Sequence, residues 1–421
     1  MTDFNKDDVV NWLRGLMLHG VKLGLNNIEE LLDRVGNPQK SFKAVHVAGS
    51  DGKGTTCAAI ASILRESGIS VGLYTSPHIT NFNERISVNG TNISDNELLV
   101  LAHEVMIVAE FMKEDGFQCT FFEVTTAMAF LYFQRKHVEY AVVEVGMGGR
   151  FDATNVITPE VSVITNISRE HTQYLGNTLR EIAFEKAGII KHNVPVVTCN
   201  SGDALSVITE AASERQSDLI VADGPELLSF DGEGSRFRYC DEEFEIRVPG
   251  SYQCKNAAMA VEAVRMLPEA ERIEPHIHDG LRNVVWHARM EKIDGLPLII
   301  DVSHTTAGMK VLMHDVQQIY GKVTTVFGVL SDKDLCGMAK CVCQMSRKVI
   351  VAAPESDRAM DIHELVRGAS VVCEDLESAD SVEQAIDRAM EVRGDGMVLV
   401  TGSFRMAEAA YKWLRKTYAG Y

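Results

Sequence analysis

The feature that most constrains this chain is a strand, a glycine-rich loop and a helix that follow one another between residues 45 and 64. The β-branched residues Val45 and Val47 predict a strand, and the apolar run Cys57–Leu64 predicts a helix. Glycines let backbone N–H groups approach an anion, and a helix N-terminus adds partial positive charge. The arrangement therefore predicts a phosphate-binding loop. Its residues are Gly49, Ser50, Asp51, Gly52, Lys53 and Gly54, followed by Thr55 and Thr56.

Within this loop, Lys53 has the length to reach the β- and γ-phosphates, and Thr55 or Thr56 could bind a metal or a phosphate oxygen. The match to G-x-x-x-x-G-K-[ST] is incomplete, because Val47 stands at the first glycine and Gly54 separates the lysine from the hydroxyl residues. A purely structural turn is the alternative, and the lysine favours nucleotide binding over it.

Length and charge limit the class of protein. A chain of 421 residues predicts two domains, and a net charge of −18 argues against nucleic-acid and membrane-surface partners. Neither a signal-peptide core nor an apolar run of about 18 residues is present in the sequence. We therefore expect a cytoplasmic protein. The nine cysteines are scattered, and only Cys341 and Cys343 are close, so we expect reduced thiols and no zinc site.

Strand and helix patterns alternate along the chain, which predicts an α/β fold with parallel sheets. The alternation restarts after about Val285–Arg289, so we divide the chain into domains 1–287 and 288–421. The second domain has no lysine-bearing glycine loop of its own. Its predicted strands are Leu298–Val302, Val323–Val329, Lys348–Ala352, Ser370–Cys373 and Met397–Thr401.

Four polar residues stand near the phosphate loop or at predicted strand ends, where α/β proteins bind ligands: Thr55, Ser76, Glu144 and His171. Mg²⁺ takes oxygen ligands and few carboxylates, so Glu144 is the candidate ligand among them. The alternative for Glu144 is a carboxylate satisfied by a helix N-terminus, and the alternative for His171 is an ordinary hydrogen-bonded histidine. Sequence spacing alone does not bring these segments together.

The order and spacing of the motifs resemble the folylpolyglutamate synthase/dihydrofolate synthase family of Mur-type ATP-dependent amide ligases. The resemblance implies a Mur-ligase-like fold, with an N-terminal P-loop ATPase-type parallel-sheet domain and a smaller C-terminal Rossmann-like α/β domain. The matching stretches are Lys22–Asn27, Gly49–Thr55, Thr75–His78, Asn83–Ile86, Glu144–Arg150, Asp152–Asn155, His171 with Leu175 and Gly176, Glu185–Ile190, Pro249 and Gly250 with Gln253 and Asn256, Trp286–Arg289, Gly328 with Asp332–Asp334, and Thr401–Ser403.

The resemblance also implies a role for individual residues. Lys53 and its loop would bind the phosphates of ATP, Ser76 and Glu144 one Mg²⁺, and His171 a second Mg²⁺. Lys186 would be carbamylated by CO₂ and so become an anion that supports the second metal. Asn256 and Arg289 would contact the nucleotide, Asp301 its ribose or phosphate side, and His304 is a further catalytic candidate.

The implied reaction joins L-glutamate to a folate or pterin carboxylate through an acyl phosphate, in a monomer. Three departures from the family pattern bear on it: Ser50-Asp51 for threonine-asparagine, Glu170 for aspartate, and Asp301–Thr306 for Asp-Gly-Ala-His-Asn-Pro. Alternatives are a ligase of the same architecture with another pterin, another cofactor-precursor carboxylate or another amino acceptor, a protein that binds ATP without ligation, and a simple kinase.

Overall fold

The computed structural model describes residues 6–17 and 24–418. The chain forms two compact units. The first is made of residues up to Pro77, Phe82–Gly224 and Lys255–Asn283, and the second of His78–Asn81, Pro225–Cys254 and the residues from Val284 onward. This grouping differs from the sequence-based ranges 1–287 and 288–421, since three stretches assigned to the first domain, residues 78–81, 225–254 and 284–287, lie in the second unit. One reason is a contact within that unit, where the backbone N–H of Ser251 donates to the buried carboxylate of Asp315 at 2.7 Å.

The first unit is built on a mixed sheet that has eight strands among the described residues, in the order β4-β3-β2-β5-β1-β6-β7-β8. Strands β2, β5, β1, β6, β7 and β8 run parallel, and β3 and β4 form an antiparallel edge. The strands are β1 Lys43–Ala48, β2 Val71–Tyr74, β3 Ile86–Val88, β4 Thr91–Asn92, β5 Tyr140–Glu144, β6 Val161–Ile164, β7 Val196–Thr198 and β8 Leu219–Val221.

Helices cover this sheet, and its central strands are therefore buried on both faces, as β-branched strands of parallel sheets usually are. The capping box predicted at Ser94 and Glu97 is confirmed, with both reciprocal hydrogen bonds formed. The helices are α1 Lys6–Met17, α2 Asn26–Arg34, α3 Lys53–Glu66, α4 Asp95–Glu114, α5 Phe121–Arg135, α6 Thr172–Leu175, α7 Leu179–Ala187, α8 Gly202–Glu214, α9 Gln253–Arg265, α10 Ala270–Ile273 and α11 Ile277–Arg282. Lys22 and Leu23 of the first matching stretch lie outside the described residues.

The second unit contains a three-stranded antiparallel sheet and a six-stranded sheet in the order β12-β13-β17-β14-β15-β16, counted over the part of the chain that the structure describes. In the larger sheet β12 is antiparallel and the other strands are parallel. The strands are β9 Glu226–Phe230, β10 Ser235–Tyr239, β11 Glu242–Ile246, β12 Glu291–Lys292, β13 Leu298–Ile300, β14 Val323–Phe327, β15 Ser346–Val351, β16 Leu376–Ser378 and β17 Val398–Thr401.

The six-stranded sheet carries helices on both faces. Alternate residues of β13 show this, since Ile300 packs in one apolar cluster with α15 and α16, and Ile299 packs in another with α12, α13 and α14. The helices are α12 Thr306–Tyr320, α13 Leu335–Met345, α14 Ile362–Ser370, α15 Val382–Val392 and α16 Phe404–Thr417.

One predicted strand is wrong. Ser370 is the last residue of α14, Val371–Cys373 follow that helix, and the strand lies later, at Leu376–Ser378. The β-branched Val371 that suggested a strand is 79% exposed, so it does not enter the sheet.

The expectation that all nine cysteines are reduced is also wrong, because the structure joins Cys343 to Cys373 across a Cα–Cα distance of 5.1 Å. The two partners are 30 residues apart, and their spacing along the chain gives no sign of the pairing. Cys341 and Cys343, which are close in sequence, both lie on α13, where residues two apart do not face each other.

None of the helices within the described residues is long and apolar enough to cross a lipid bilayer.

Candidate active site

The phosphate loop connects the end of β1 to the start of α3, as predicted. Gly49 and Gly52 adopt φ values of 149° and 89°, which L side chains rarely adopt. A Cβ on Gly49 would lie 1.8 Å from the hydroxyl oxygen of Thr165, and one on Gly52 would lie 2.3 Å from the side-chain oxygen of Asn256. Both positions therefore need glycine, for conformation and for space. The second contact also places Asn256, at the start of α9, against the loop.

A second strand end supports this loop. The backbone N–H of Ser50 donates to the carbonyl of Asn166 at 2.7 Å, and Thr165 Oγ1 donates to the carbonyl of Asp51 at 2.8 Å. Ser168 Oγ donates to the carboxylate of Asp51 at 3.0 Å. The carboxylate of Asp51, which stands where the family usually has asparagine, therefore accepts a hydrogen bond from the loop after β6.

Lys53 folds back over the loop that precedes it. Its Nζ atom donates to the carbonyls of Gly49 at 3.0 Å and Ser50 at 3.1 Å. Thr55 and Thr56 are buried in the first turn of α3, and the hydroxyl of Thr56 has no hydrogen-bond partner among the described residues. Backbone N–H groups in a first helical turn lack partners within the helix. This end of α3 therefore combines donor groups with a lysine, which is the chemistry that phosphate requires.

Glu144 and Ser76 are brought together although 68 residues separate them. Parallel pairing of β1 with β5 sets Val47 opposite Glu144, so the acid stands at the same edge of the sheet as the phosphate loop. The backbone N–H of Ser76 donates to Glu144 Oε2 at 2.9 Å, and the glutamate side chain is buried. A buried carboxylate needs such partners.

Lys186 and Glu170 form a buried ion pair. Lys186 Nζ donates to Glu170 Oε1 at 2.8 Å and to the carbonyl of Gly49 at 2.7 Å. The accessible fractions of the two side chains are 2% and 7%. His171 is less buried, and its Nε2 lies 3.9 Å from Glu170 Oε2. Its backbone φ of 46° is left-handed and marks the start of α6. Glu170 therefore connects the predicted His171 and Lys186.

The pKa values of this pair follow from burial and charge. Burial lowers the pKa of Lys186, and the carboxylate of Glu170 opposes that shift. For Glu170, burial alone would raise the pKa, but the positive charges of Lys186 and Lys53 outweigh it and hold the pKa at about 2. Glu170 is therefore ionised at neutral pH.

Close backbone packing fixes the position of Lys186 on α7. A Cβ on Gly149 would lie 2.8 Å from the carbonyls of Glu185 and Lys186, and one on Gly188 would lie 2.6 Å from Cα of Arg150. The loop after β5 and the end of α7 therefore approach each other only because both positions are glycine. The matching stretches Glu144–Arg150 and Glu185–Ile190 form one packed element.

In the second unit, Asp301 follows β13 and is fully buried. Its carboxylate accepts from the backbone N–H of Ser303 at 2.6 Å and of Met290 at 2.9 Å. Asp301 thus holds the turn that carries Arg289, whose guanidinium lies 5.5 Å from the ring centroid of Phe404. The ring of His304 lies 5.7 Å from that same ring. Phe404 connects two predicted site residues and was missed, although it directly follows the Thr401–Ser403 stretch.

The altered segment after His304 keeps a conventional helix start. Thr305 is the N-cap of α12, and its side chain accepts from the backbone N–H of Gly308 at 3.0 Å. Thr306 Oγ1 donates to Asp334 Oδ2 at 2.8 Å, so the segment is tied to the Asp332–Asp334 stretch. Threonine and asparagine both serve as N-caps, and proline suits the first helical position. The departure therefore preserves the local backbone role of the family residues.

Among the described residues, no group of three or more His, Cys, Asp or Glu side chains could hold a metal ion by itself. Mg²⁺ in nucleotide sites commonly takes one or two carboxylates, with substrate phosphates completing its shell. The oxygen ligands that Glu144 and Ser76 offer fit that pattern and do not fit zinc.

Comparison with known families and structures agrees with this geometry. The family model of the Mur ligase middle domain matches residues 47–264, and that of the Mur ligase, glutamate ligase domain matches residues 288–404. The chain is 36% identical to the dihydrofolate synthase/folylpolyglutamate synthase of Bacillus subtilis over 415 residues, covering 94% of this chain and 96% of the relative. It is 35% identical to the folylpolyglutamate synthase of Lacticaseibacillus casei, covering 91% and 92%.

Solved structures resemble the fold over almost its whole length. The crystal structure of folylpolyglutamate synthase from Thermotoga maritima matches with a TM-score of 0.84 and 33% identity, covering 97% of this chain and 96% of that one. The Mycobacterium tuberculosis folylpolyglutamate synthase complexed with ADP and AMPPCP matches with a TM-score of 0.88 and 27% identity, covering 97% and 98%.

Proposed function

This chain belongs to the folylpolyglutamate synthase/dihydrofolate synthase family of Mur ligases, and we propose that it joins L-glutamate to a folate or pterin carboxylate at the expense of ATP. The chain is an ATP-dependent, ADP-forming amide ligase with the Mur-ligase fold. The family resemblance and the fold class expected from the motifs are thereby confirmed.

The observation that carries the nucleotide part of the proposal is the convergence of two lysines on one carbonyl. Lys53 and Lys186 both donate to the carbonyl oxygen of Gly49, at 3.0 Å and 2.7 Å. Lys53 and the N-terminus of α3 place positive charge at this glycine loop, while the charge of Lys186 is balanced by Glu170. The phosphates of ATP are ligands of the matching charge and size.

In the proposed reaction, a carboxylate oxygen of the pterin substrate attacks the γ-phosphorus of ATP, and ADP leaves. The amino nitrogen of glutamate then attacks the acyl carbon, inorganic phosphate leaves from the tetrahedral intermediate, and the nitrogen loses its proton as the amide forms. Lys53 and Arg289 supply positive charge where negative charge develops on the phosphoryl group. Asn256 contacts the nucleotide beside the loop, and the loop residues Gly49–Thr56 hold its phosphates in position.

Two Mg²⁺ ions are part of the proposal. Ser76 and Glu144 would hold one, with Thr55 beside it, and His171 would help to hold the other. Bound there, the ions would neutralise phosphate charge. The oxygen ligands on Ser76 and Glu144 and the burial of Glu144 support this assignment.

Carbamylation of Lys186 is proposed on physical grounds. CO₂ reacts with a neutral amine, and burial lowers the pKa of Lys186 and so favours the neutral form. The ion pair with Glu170 favours the charged form instead. The balance between the two decides whether this lysine acts as an amine or as a carbamate, and mass spectrometry of the intact protein in bicarbonate distinguishes the two.

The substrates of the proposed enzyme are small molecules: ATP, L-glutamate and dihydropteroate or a folate. We further propose a monomer in the cytoplasm with no nucleic-acid or membrane partner. The second candidate, a different carboxylate or amino acceptor, rests on the altered Asp301–Thr306 segment.

One assay tests the function. Phosphate release from Mg-ATP and glutamate is measured with dihydropteroate, with tetrahydrofolate and without pterin, and the products are weighed by mass spectrometry. A pterin-dependent product heavier by one glutamate supports the proposal. ATP binding without pterin-dependent turnover would contradict it and favour a different substrate pair.

A further inference from the structure

Arg289 lies between two residues with an unfavourable backbone. Ala288 and Met290 have φ values of 53° and 50°, in the left-handed region that residues with a Cβ seldom adopt. Such conformations persist only where the surrounding structure imposes them, and they concentrate at functional sites.

Two carboxylates bind the backbone on either side of Arg289. Glu291 Oε2 accepts from the N–H of Ala288 at 2.7 Å, and Asp301 Oδ2 accepts from the N–H of Met290 at 2.9 Å. Antiparallel pairing of β12 with β13 sets Glu291 opposite Ile300, the residue before Asp301. The sheet therefore delivers both acids to the same turn.

Glu291, on β12, is itself held in place by a residue of a helix. The hydroxyl of Tyr411, on α16, donates to Glu291 Oε2, and His287 Nδ1 lies 2.9 Å from Glu291 Oε1. Burial would raise the pKa of Glu291, but its hydrogen bonds with His287, Tyr411 and the backbone of Ala288 keep that pKa below the usual range. The acid is therefore ionised and fully engaged.

The side chains beside Arg289 anchor the turn in two cores. Ala288 and Met290 are both fully buried, the first in the cluster that contains Ile300 and the second in the cluster that contains Ile299. Consecutive strand residues face opposite sides of a sheet, so the turn is fixed on both sides. Only Arg289 is left partly exposed.

The guanidinium of Arg289 is supported without being neutralised. It lies over the ring of Phe404 at 5.5 Å and donates to the carbonyl of Ala288 at 3.1 Å. Within residues 6–17 and 24–418, no carboxylate forms an ion pair with it. The surrounding acids bind the backbone of the neighbouring Ala288 and Met290 and leave the charge of Arg289 for an anionic ligand.

We propose that Glu291, locked by Tyr411, is a positioning residue that aims Arg289 at the phosphoryl group during ligation. The inference rests on the proposed function, because it takes ATP as the anion that Arg289 meets. Glu291 does not touch the substrate and acts only through the turn at 288–290. Its removal therefore matters only while Arg289 is present, which separates this role from a general contribution to folding.

The test is a double-mutant cycle on the full chain. Glu291→Gln and Tyr411→Phe are made in the wild-type and in the Arg289→Ala background, and kcat and the KM for ATP are measured at saturating pterin and glutamate. Glu377→Gln is the matched control, since Glu377 is an acid of the same unit that pairs with Lys348 and Arg388 on the surface. Thermal unfolding of each variant is recorded alongside.

We expect Glu291→Gln to lower kcat at least tenfold, Tyr411→Phe to lower it several-fold, and Glu377→Gln to change it less than twofold. In the Arg289→Ala background the first two substitutions should each change kcat less than twofold. Equal effects in both backgrounds, or no effect of Glu291→Gln on the wild-type, would overturn the proposal.

A binding experiment keeps this test separate from the proposed reaction. The affinity for Mg-AMPPCP is measured by calorimetry for the same set of variants. Weaker binding by Glu291→Gln that disappears in the Arg289→Ala background supports the positioning role even if no pterin is ligated. Additive losses in affinity would contradict it. Absence of pterin-dependent ligation by the wild-type protein would count against the proposed function alone.

Discussion

Lys186 Nζ donates to Glu170 Oε1 at 2.8 Å, and both side chains are almost completely buried. The acid that precedes His171 is therefore the direct partner of the lysine on α7, and the two residues are 16 positions apart. The glutamate is one methylene longer than the aspartate usual in the family, which gives its carboxylate more reach. The two arrangements are alternatives: in the ion pair the negative charge beside the Lys186 nitrogen is the carboxylate of Glu170, and in a carbamate it would be carried by the modified lysine itself.

Lys186→Ala should reduce ligation at least 100-fold, because it removes the partner of Glu170, a hydrogen bond to the carbonyl of Gly49 and the nitrogen that CO₂ would modify. Small carboxylates such as formate or acetate should restore part of the activity if the carbamate is needed. Steady-state phosphate release with and without added formate measures this, with chloride at the same ionic strength as the salt control. Full activity of the variant would show that the lysine is structural.

Lys53→Ala should abolish ATP turnover while the fold is retained. The substitution removes hydrogen bonds to the carbonyls of Gly49 and Ser50 and the charge nearest the predicted β- and γ-phosphates. We expect a fall in kcat of about 100- to 1,000-fold, the usual cost of losing one transition-state contact. Circular dichroism checks the fold. Lys113→Ala, on the exposed face of α4, is the control and should be fully active.

Asp301→Asn should destabilise the second unit. Both carboxylate oxygens accept backbone N–H groups, and an amide would turn one acceptor into a donor that faces another donor. The cost of a buried unsatisfied group is about 1–3 kcal/mol. Calorimetry should show a lower unfolding midpoint, whereas Asp395→Asn, at a fully exposed side chain, should leave it unchanged. An unfolding midpoint of Asp301→Asn equal to that of the wild-type would mean that this aspartate contributes to nucleotide binding and not to stability.

Replacing Thr305 and Thr306 by the asparagine and proline of the family should have little effect on glutamate use. Asparagine caps a helix as well as threonine does, and proline fits the next position, although the hydrogen bond from Thr306 to Asp334 is lost. We expect kcat/KM for glutamate to change less than threefold. A large change in the preferred amino acid, measured against aspartate and other amino acids, would make this segment the determinant of the acceptor.

His46→Gln should make the protein less sensitive to acid. His46 is fully buried against Thr154, and burial lowers its pKa to about 3. Below pH 6.5 the unfolded chain binds a proton at His46 that the folded chain does not bind. The free energy of unfolding therefore falls by up to about 1.4 kcal/mol per pH unit, down to about pH 3. Urea unfolding at pH 6.5 and 5.0 should show a loss about 1.6 kcal/mol larger in the wild-type than in the variant. Equal losses would exclude His46 as the source.

The sequence by itself determined the local architecture and the family. The strand, loop and helix around Lys53, the capping box at Ser94 and the order of the motifs follow from rules that act within a few residues. Local rules failed at Val371, where a β-branched run lies exposed after a helix, because strand formation depends on burial in a sheet that the local sequence does not show.

The tertiary structure alone decided which distant residues share a site. Glu144 meets Ser76, and Glu170 meets Lys186, because parallel pairing and close glycine contacts bring separate strand ends together. It also assigned Asp301 to the backbone of Met290 rather than to an open pocket, and it joined Glu291 to Tyr411 across 120 residues. Such pairings depend on register, burial and the direction of each side chain, which are properties of the packed chain and leave no local pattern in the sequence.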